Sequence, residues 1–486
     1  MSKKQTVDVD VAIVGAGTAG LSAYREARKH TDRIVLIEGG AGGTTCAQEG
    51  CMPSKLLIAA AESARQVRRA PAFGLHISEV EVSGPAVLSR VRRERDRFVR
   101  LVKEGTHNIS ASHRLQGYAE FIAPNTLQVG TVSIKARSIV LATGSTPLIP
   151  GMFKSLSKRL VTSADVFEWQ DLPQSVAVFG AGIVGLELGV ALHHLGVRVA
   201  IFGKGHNLAG ISDPEVKKTA LEILTHELPI DLDANVKNLQ ETDTGVEIQW
   251  ENAGKEYTEQ FDYVLVSAGR KPNLAPLKLG CLGLNLDKQG LPDWDPETLQ
   301  VKGLPLFLAG DNNNEKPLLH EAGDEGRLAG YNAAHYPEVR KLKRRSSLAV
   351  VFSHPQIMQV GQTYQDLALN CTAIGEADFS NQGRSRVILE NQGLLRVYAA
   401  HENQRFLGAE MVGPAAEHLA HLLAWAHQQK LTISDMLKFP FYHPTIEEGL
   451  KTALRSARKA LKEGPPSGRL CDTEEYVIAE PGDFTA

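Results

Sequence analysis

Two cysteines, Cys46 and Cys51, stand with four residues between them in the stretch GTTCAQEGCMPSK, Gly43 to Lys55. Two thiols in so short a segment can make and break a disulfide, and so take up and release two electrons. A regular helix would separate residues five apart by about 7.5 Å along its axis, too far for that bond, so the backbone must bend between them. Gly50 supplies the freedom, and Pro53 suits a first helical turn; Cys51 is then expected beside a helix N-terminus, where a thiolate is stabilised. Two unrelated buried thiols are the plain alternative. A metal site is disfavoured, because Cys281, Cys371 and Cys471 lie singly and far away with no second spaced pair, and the spacing is not C-x-x-C. No metal is expected.

Disulfide chemistry needs a base. Near the C-terminus, in FPFYHPTIEEGL, His443 precedes a proline and Glu448 follows five residues later. One histidine among 16 would ordinarily be assigned to the surface or the core. The nearby carboxylate singles this one out, since it could orient the ring and favour imidazolium.

The elements that must position these groups are readable from glycines and apolar runs. Val9 to Val14 runs apolar into GAGTAG, with Gly15, Gly17 and Gly20, then a helical pattern, then a strand IVLIE ending in Glu38, 21 residues after Gly17. This is a dinucleotide fingerprint: the glycines let a pyrophosphate approach the helix N-terminus, and the acid accepts from a ribose hydroxyl. Ser175 to Phe179 repeats the pattern into GAGIVG, with Gly180, Gly182 and Gly185. Two such folds imply two nucleotides, one able to pass electrons to the other. SIVLATGSTP, with Thr143 and Gly144, reads as a strand closing the first half of a split domain. YVLVSAG ends a strand at Gly269, and LFLAGD ends a buried strand at Asp311, a candidate for a ribityl-binding acid rather than a plain Asx turn. From Leu348 short alternating runs and a helix over residues 417–429 indicate a separate α+β domain. The expected class is α/β, with two Rossmann-like dinucleotide domains and a C-terminal α+β domain.

At 486 residues the chain should hold two to four domains, and 43% hydrophobic with 22% charged residues is ordinary for a globular protein. A net charge of −3 argues against nucleic-acid or membrane affinity. No apolar run reaches the length of a membrane span, and MSKKQTVDVD leads straight into a strand, so an intracellular, cytoplasmic protein is expected. Five cysteines make no disulfide scaffold, so a Cys46–Cys51 disulfide would be catalytic. The arginines at 90, 92, 93, 95, 97 and 100 read as a solvated helix face, RKLKRR at 340–345 as a connector without assigned function, and the turn-rich tail with Cys471 as peripheral.

Taken together, GAGTAG, Cys46-x4-Cys51 with MPSK, LATGSTP, GAGIVGLELG, LFLAGD and HPTIEE resemble the pyridine-nucleotide disulfide oxidoreductases, and among them the dihydrolipoamide dehydrogenases, over roughly residues 9–460. The resemblance implies an FAD domain split as 1–150 and 271–345 around an NAD(P) domain at 151–270, an interface domain at 346–465 that forms a homodimer, and a tail at 466–486. It implies Cys46 as the thiol that meets substrate, Cys51 as the thiol beside the flavin, and His443 as a base serving the other subunit's cysteines with Glu448 as its partner. Lys55 and Glu187 become a pair near the flavin's reactive edge. Gly15, Gly17, Gly20, Glu38, Lys55, Thr143, Gly144 and Asp311 fall to FAD, and Gly180, Gly182, Gly185, Glu187, Lys204 and Gly269 to the nicotinamide nucleotide. The implied reaction oxidises dihydrolipoamide on a lipoylated carrier or lipoyl domain and reduces NAD. Other disulfide reductases or a mercuric reductase of the superfamily, or a flavin-bound redox sensor without turnover, are the alternatives; a C-terminal vicinal cysteine pair is missing for the mercuric case.

Three departures stand out. GGTT precedes Cys46 where GGT is usual, Phe441 stands where a second histidine is usual, and the position matching Glu38 in the second fingerprint is Gly203. Without an acid there nothing repels a ribose 2′-phosphate, while Lys204 and His206 could attract one, so weak discrimination between NAD and NADP is expected.

Overall fold

The computed structural model describes residues 5–78 and 80–465. Its first sheet has Gln5–Val14 at the centre, parallel to Ile34–Glu38 on one side and to Val132–Leu141 on the other. Val11, Ala12 and Ile13 are fully buried, the continuous apolar run required when both faces of a parallel sheet are covered. The chain comes back to this sheet late: Leu306–Leu308 pairs in parallel with Ile139–Leu141, and the helix Leu319–His335 follows. Gly326 and Gly330 let that helix pack on the fingerprint helix Thr18–Ala27, since a Cβ on either would lie 2.2 Å from Ala19 O or 2.3 Å from Ala23 O.

Between the two passes lies a second parallel sheet, with Ser175–Phe179 flanked by Arg198–Phe202 and Tyr263–Val266. A three-stranded antiparallel sheet of Asn235–Glu241, Val246–Asn252 and Lys255–Phe261 accompanies it. The last unit is a five-stranded antiparallel sheet, Leu348–Val351 to Thr372–Asp378, with helices Ala416–Gln428 and Glu447–Glu463.

Buried carboxylates bolt the second sheet to the last. Asp213, which caps its own helix, accepts from Arg396 at 2.9 and 3.0 Å and from Tyr398 Oη at 2.9 Å. Glu410 accepts the N–H groups of Ser212 and Tyr364 at 2.9 and 2.8 Å. The 340–345 connector also has work in the fold. Arg344 pairs with Glu321 and with fully buried Glu325, and Glu325 takes the N–H of Gly310 at 2.8 Å, which fixes the turn before Asp311. The arginine run is only in part a solvated face: Arg92 donates to the carbonyl of Trp169 and Arg95 pairs with Glu168, whereas Arg93, Arg97 and Arg100 are exposed. Cys371 is not a lone thiol but disulfide-bonded; the reading of Cys471 and the tail falls outside the described residues. Among the described residues no helix is long and apolar enough to cross a membrane.

Candidate redox and nucleotide sites

The bend demanded by the cysteine spacing is a break between two helices. Thr45–Gln48 carries Cys46, and Cys51–Arg69 begins at Cys51 itself, with Gly50 as N-cap and Pro53 in the first turn. A Cβ at Gly50 would lie 3.2 Å from Thr45 O, so the close return of the chain favours glycine. The additional threonine of GGTT is used locally: Thr44 caps the short helix by accepting the N–H of Ala47. Both thiols are free, half-buried at Cys46 and exposed at Cys51, and they are hydrogen-bonded to each other. That hydrogen bond from Cys46, aided by the Lys55 ammonium, brings the Cys51 thiol down to about 6, against burial and the Glu187 charge. The same hydrogen bond, with burial, pushes Cys46 up. The shared hydrogen bond thus favours ionisation of Cys51 over Cys46.

Lys55 sits one turn after Cys51. Its ammonium donates to both oxygens of Glu187 at 2.8 and 2.7 Å, and the Phe352 ring centroid lies 4.7 Å from it. Glu187 is buried and also accepts the Phe352 N–H at 3.1 Å. Breaking such a pair by removing one member costs about 3–5 kcal/mol. The expectation that Glu187 also serves the nicotinamide nucleotide meets a carboxylate turned to Lys55 and absent from the residues lining the second cavity.

At the first glycine loop the Glu38 carboxylate accepts the N–H of Ala16 at 2.8 Å and of Gly40 at 2.7 Å. The loop fits a bound pyrophosphate. Gly17 caps the helix Thr18–Ala27 without any side-chain cap, leaving first-turn N–H groups for an anion, and a Cβ at Gly17 would point into open space. Gly15, with φ +105°, and Gly20 are small for the protein's own sake, since a Cβ at Gly20 would sit 1.8 Å from Gly15 O. Asp311 accepts from Ser145 Oγ at 2.9 Å, and Arg270 in turn donates to Ser145 Oγ and Ser145 O, both at 2.7 Å. Beside Asp311, the fully buried side-chain oxygen of Asn312 has no protein partner, while its nitrogen donates to Leu141 O and approaches Thr143 Oγ1 at 3.4 Å. Gly144 turns the chain there with φ +67°. The donors, acceptors and glycine cradle suit FAD.

The second loop repeats this geometry. Gly182 caps Ile183–His194 with no side-chain cap, and a Cβ at Gly185 would lie 1.8 Å from Gly180 O. A cavity of about 760 Å³ opens over it, lined by Gly180, Gly182, Gly203, Lys204, Gly269 and Arg270 among others. His206, expected beside Lys204, pairs instead with Asp233 at 3.1 Å, and the cations lining this cavity are Lys204 and Arg270.

His443 Nδ1 bonds Glu448 at 3.1 and 2.9 Å. The His443 hydrogen bond holds the Glu448 carboxyl below its ordinary value, so the carboxylate accepts, Nδ1 carries the proton and Nε2 is free. His443 is 78% exposed. Phe441 packs instead against the core of the last unit, under Lys451. Among the described residues no cluster could hold a metal ion. Sequence reasoning missed Phe352, Ser145 and Arg270; Ser145 and Arg270 directly follow the expected Gly144 and Gly269, whereas Phe352 comes from the distant last unit.

Known proteins fit this geometry. The sequence profile of the pyridine nucleotide-disulphide oxidoreductases matches residues 9–326, and that of their dimerisation domain residues 347–454. The dihydrolipoyl dehydrogenase of Chlamydia trachomatis is 29% identical over 453 residues, covering 90% of this chain and 94% of that protein. A Staphylococcus aureus mercuric reductase is 28% identical over 92% of this chain and 82% of its own length. The HOCl-induced flavoprotein disulfide reductase RclA from Escherichia coli shares the fold, with a TM-score of 0.77 at 21% identity over 92% of this chain and 99% of that one. With two glycine loops, a cysteine pair at a helix head and a matched dimerisation domain, the chain belongs to the pyridine nucleotide-disulphide oxidoreductase family.

Proposed function

We propose that this protein oxidises dihydrolipoamide, presented on a lipoylated carrier, and reduces NAD or NADP, with Cys46 and Cys51 as its redox disulfide. The observation that supports the reading is the placing of the pair: Cys51 heads a helix, hydrogen-bonded to Cys46 on the preceding short helix and with Lys55 one turn behind it, which together draw its thiol down. Residues 1–150 and 271–345 form the FAD domain in this reading, 151–270 the NAD(P) domain and 346–465 the interface domain. FAD falls to Gly15, Gly17, Gly20, Glu38, Lys55, Thr143, Gly144 and Asp311, and the nicotinamide nucleotide to Gly180, Gly182, Gly185, Lys204 and Gly269.

The half-reaction of the chain's own residues balances as a disulfide exchange. His443 of the partner subunit takes a proton from one substrate thiol at Nε2, steadied by its carboxylate neighbour. The resulting thiolate attacks Cys46 Sγ, and the Cys46–Cys51 bond breaks with Cys51 leaving as thiolate, a good leaving group given its low thiol value. The second substrate sulfur then attacks the first, its proton passing to Cys46, so the Cys46–substrate bond breaks with Cys46 leaving as a thiol and the substrate disulfide closes. The substrate loses two electrons and the cysteine pair gains them. FAD, held by the residues named above, would supply a two-electron acceptor for the Cys51 thiolate and a hydride donor to the nicotinamide nucleotide. Lys55 steadies negative charge at the head of the helix throughout.

The test is steady-state turnover of the purified dimer with dihydrolipoamide, glutathione disulfide and mercuric ion, each with both nicotinamides. The reading expects dihydrolipoamide to exceed the others in kcat/KM by at least about a hundredfold. A faster reaction with mercuric ion or glutathione disulfide would assign the site to that substrate instead, and binding without turnover of any would mark a redox sensor.

A further inference from the structure

We propose that Phe352, contributed by the C-terminal unit, is a positioning residue for the redox pair: its ring face holds the Lys55 ammonium in place behind Cys51. The inference rests on the proposed placing of Lys55 at the redox centre and goes beyond it by naming what keeps the lysine there.

Three separate parts of the chain meet at this ammonium. Lys55 comes from the cysteine helix and Glu187 from the second fingerprint helix. Phe352 is the residue directly after the strand Leu348–Val351. The ring centroid is 4.7 Å from Lys55 Nζ, and the backbone N–H of the same residue donates to Glu187 Oε1 at 3.1 Å. Phe352 thus touches both members of the pair, through ring and main chain.

The residue type follows from the electrostatics. The Cys46 hydrogen bond lowers the Cys51 thiol most and burial raises it; Lys55 and a backbone hydrogen bond lower it further, and Glu187 raises it. A second carboxylate at the place of the ring would hold the ammonium equally well, but its charge would cancel the field that Lys55 exerts on the thiolate. An aromatic face attracts a cation through its quadrupole and adds no net charge. Phe352 can therefore anchor Lys55, whose side chain is still 34% exposed, without weakening its effect on Cys51. Since Phe352 belongs to the unit matched by the dimerisation domain, that unit also shapes the redox centre of its own chain.

The experiment is the pH dependence of alkylation by iodoacetamide in the reduced full-length holoenzyme, read at Cys51 by fragment mass. At pH 5.5, Phe352→Leu should alkylate at least about threefold more slowly than wild type, with the same limiting rate above pH 9. Phe352→Tyr, which keeps the ring face, should stay within about twofold of wild type, and Phe352→Leu should add nothing in a Lys55→Met background. An unshifted Phe352→Leu profile, equal shifts for Leu and Tyr, or an undiminished effect without Lys55 would each overturn the proposal. If Lys55→Met leaves the profile untouched, the placing of Lys55 fails and this inference with it. If the profiles behave as stated but dihydrolipoamide is not oxidised, only the substrate reading falls.

Discussion

At the first glycine loop the strand Ile34–Glu38 ends in a carboxylate bonded to two loop N–H groups, at 2.8 and 2.7 Å. At the second, the strand Arg198–Phe202 runs into Gly203, whose N–H goes to Asp231 O at 2.7 Å. Everything before that point is alike, down to the 1.8 Å approach that makes Gly20 and Gly185 obligatory. The difference is packing as well as charge. A Cβ at Gly203 would meet Leu232 at 2.6 Å from Cδ2 and 3.1 Å from Cα, so an acid there requires Leu232 to swing aside and its backbone to give by a few tenths of an ångström. The same fold element thus ends in a carboxylate at one glycine loop and in a glycine followed by Lys204 at the other, which in the proposed reading gives only the first site an acid for a ribose hydroxyl.

The sharpest way to break this comparison is to fill the shared glycine contact on each side. Gly20→Ala should purify without FAD, read from visible absorbance, whereas Gly185→Ala should stay yellow and lose nicotinamide turnover by more than about a hundredfold. Loss of the same cofactor in both variants would refute one nucleotide per fold. Next in size, Glu38→Gln should weaken FAD binding by about ten- to a hundredfold, because hydrogen bonds to a charged group are worth about 1.5–3 kcal/mol each; fluorescence titration of apoprotein measures it. Its counterpart Gly203→Asp should lower the thermal midpoint without creating a preference for NAD, and a gain of NAD selectivity with unchanged stability would contradict the Leu232 contact.

The two folds are also fastened differently, and pH separates the fastenings. Glu390 holds Arg65 and Arg69 of the cysteine helix together with His354, and these partners offset its burial and depress its carboxyl to about 2. A depressed folded value means that the stabilisation is full above the unfolded value of about 4.3 and is lost as pH falls from there towards 2. Glu390→Gln should therefore cost on the order of 2 kcal/mol at pH 6 in denaturant unfolding, and the gap to wild type should narrow by about half near pH 3 and close at about pH 2. The smallest effect belongs to Lys204. One exposed cation is worth about 1 kcal/mol, so Lys204→Glu should shift the NADP to NAD ratio of kcat/KM by about fivefold, and wild type should prefer neither nucleotide by more than about a thousandfold.

What was legible in the sequence was local. The head of the helix at Cys51, with Pro53 in its first turn, and the strand Ser175–Phe179 before its glycine loop follow from short-range chemistry that any context would respect. The illegible parts depend on chain segments brought together by folding. Phe352 lies 165 residues from Glu187, Asp213 lies 183 from Arg396, and the pairing of His206 with Asp233 requires the turn of a neighbouring strand. Arg92 and Arg95 carry the same signal as their exposed neighbours, and only the position of the 167–169 segment separates them.

The central claim, that Cys51 is the thiolate facing the flavin and Cys46 the thiol that meets substrate, is tested most directly by the visible spectra of the single-cysteine variants with the flavin kept oxidised, at pH 7.5 and with absorbance followed beyond 500 nm. Cys46→Ser, with Cys51 kept, should show a long-wavelength thiolate-to-flavin band that titrates away in acid. Cys51→Ser should lack it, and both should lose dithiol turnover by more than about a thousandfold. A band that survives in Cys51→Ser and disappears in Cys46→Ser would reverse the two roles and contradict the account.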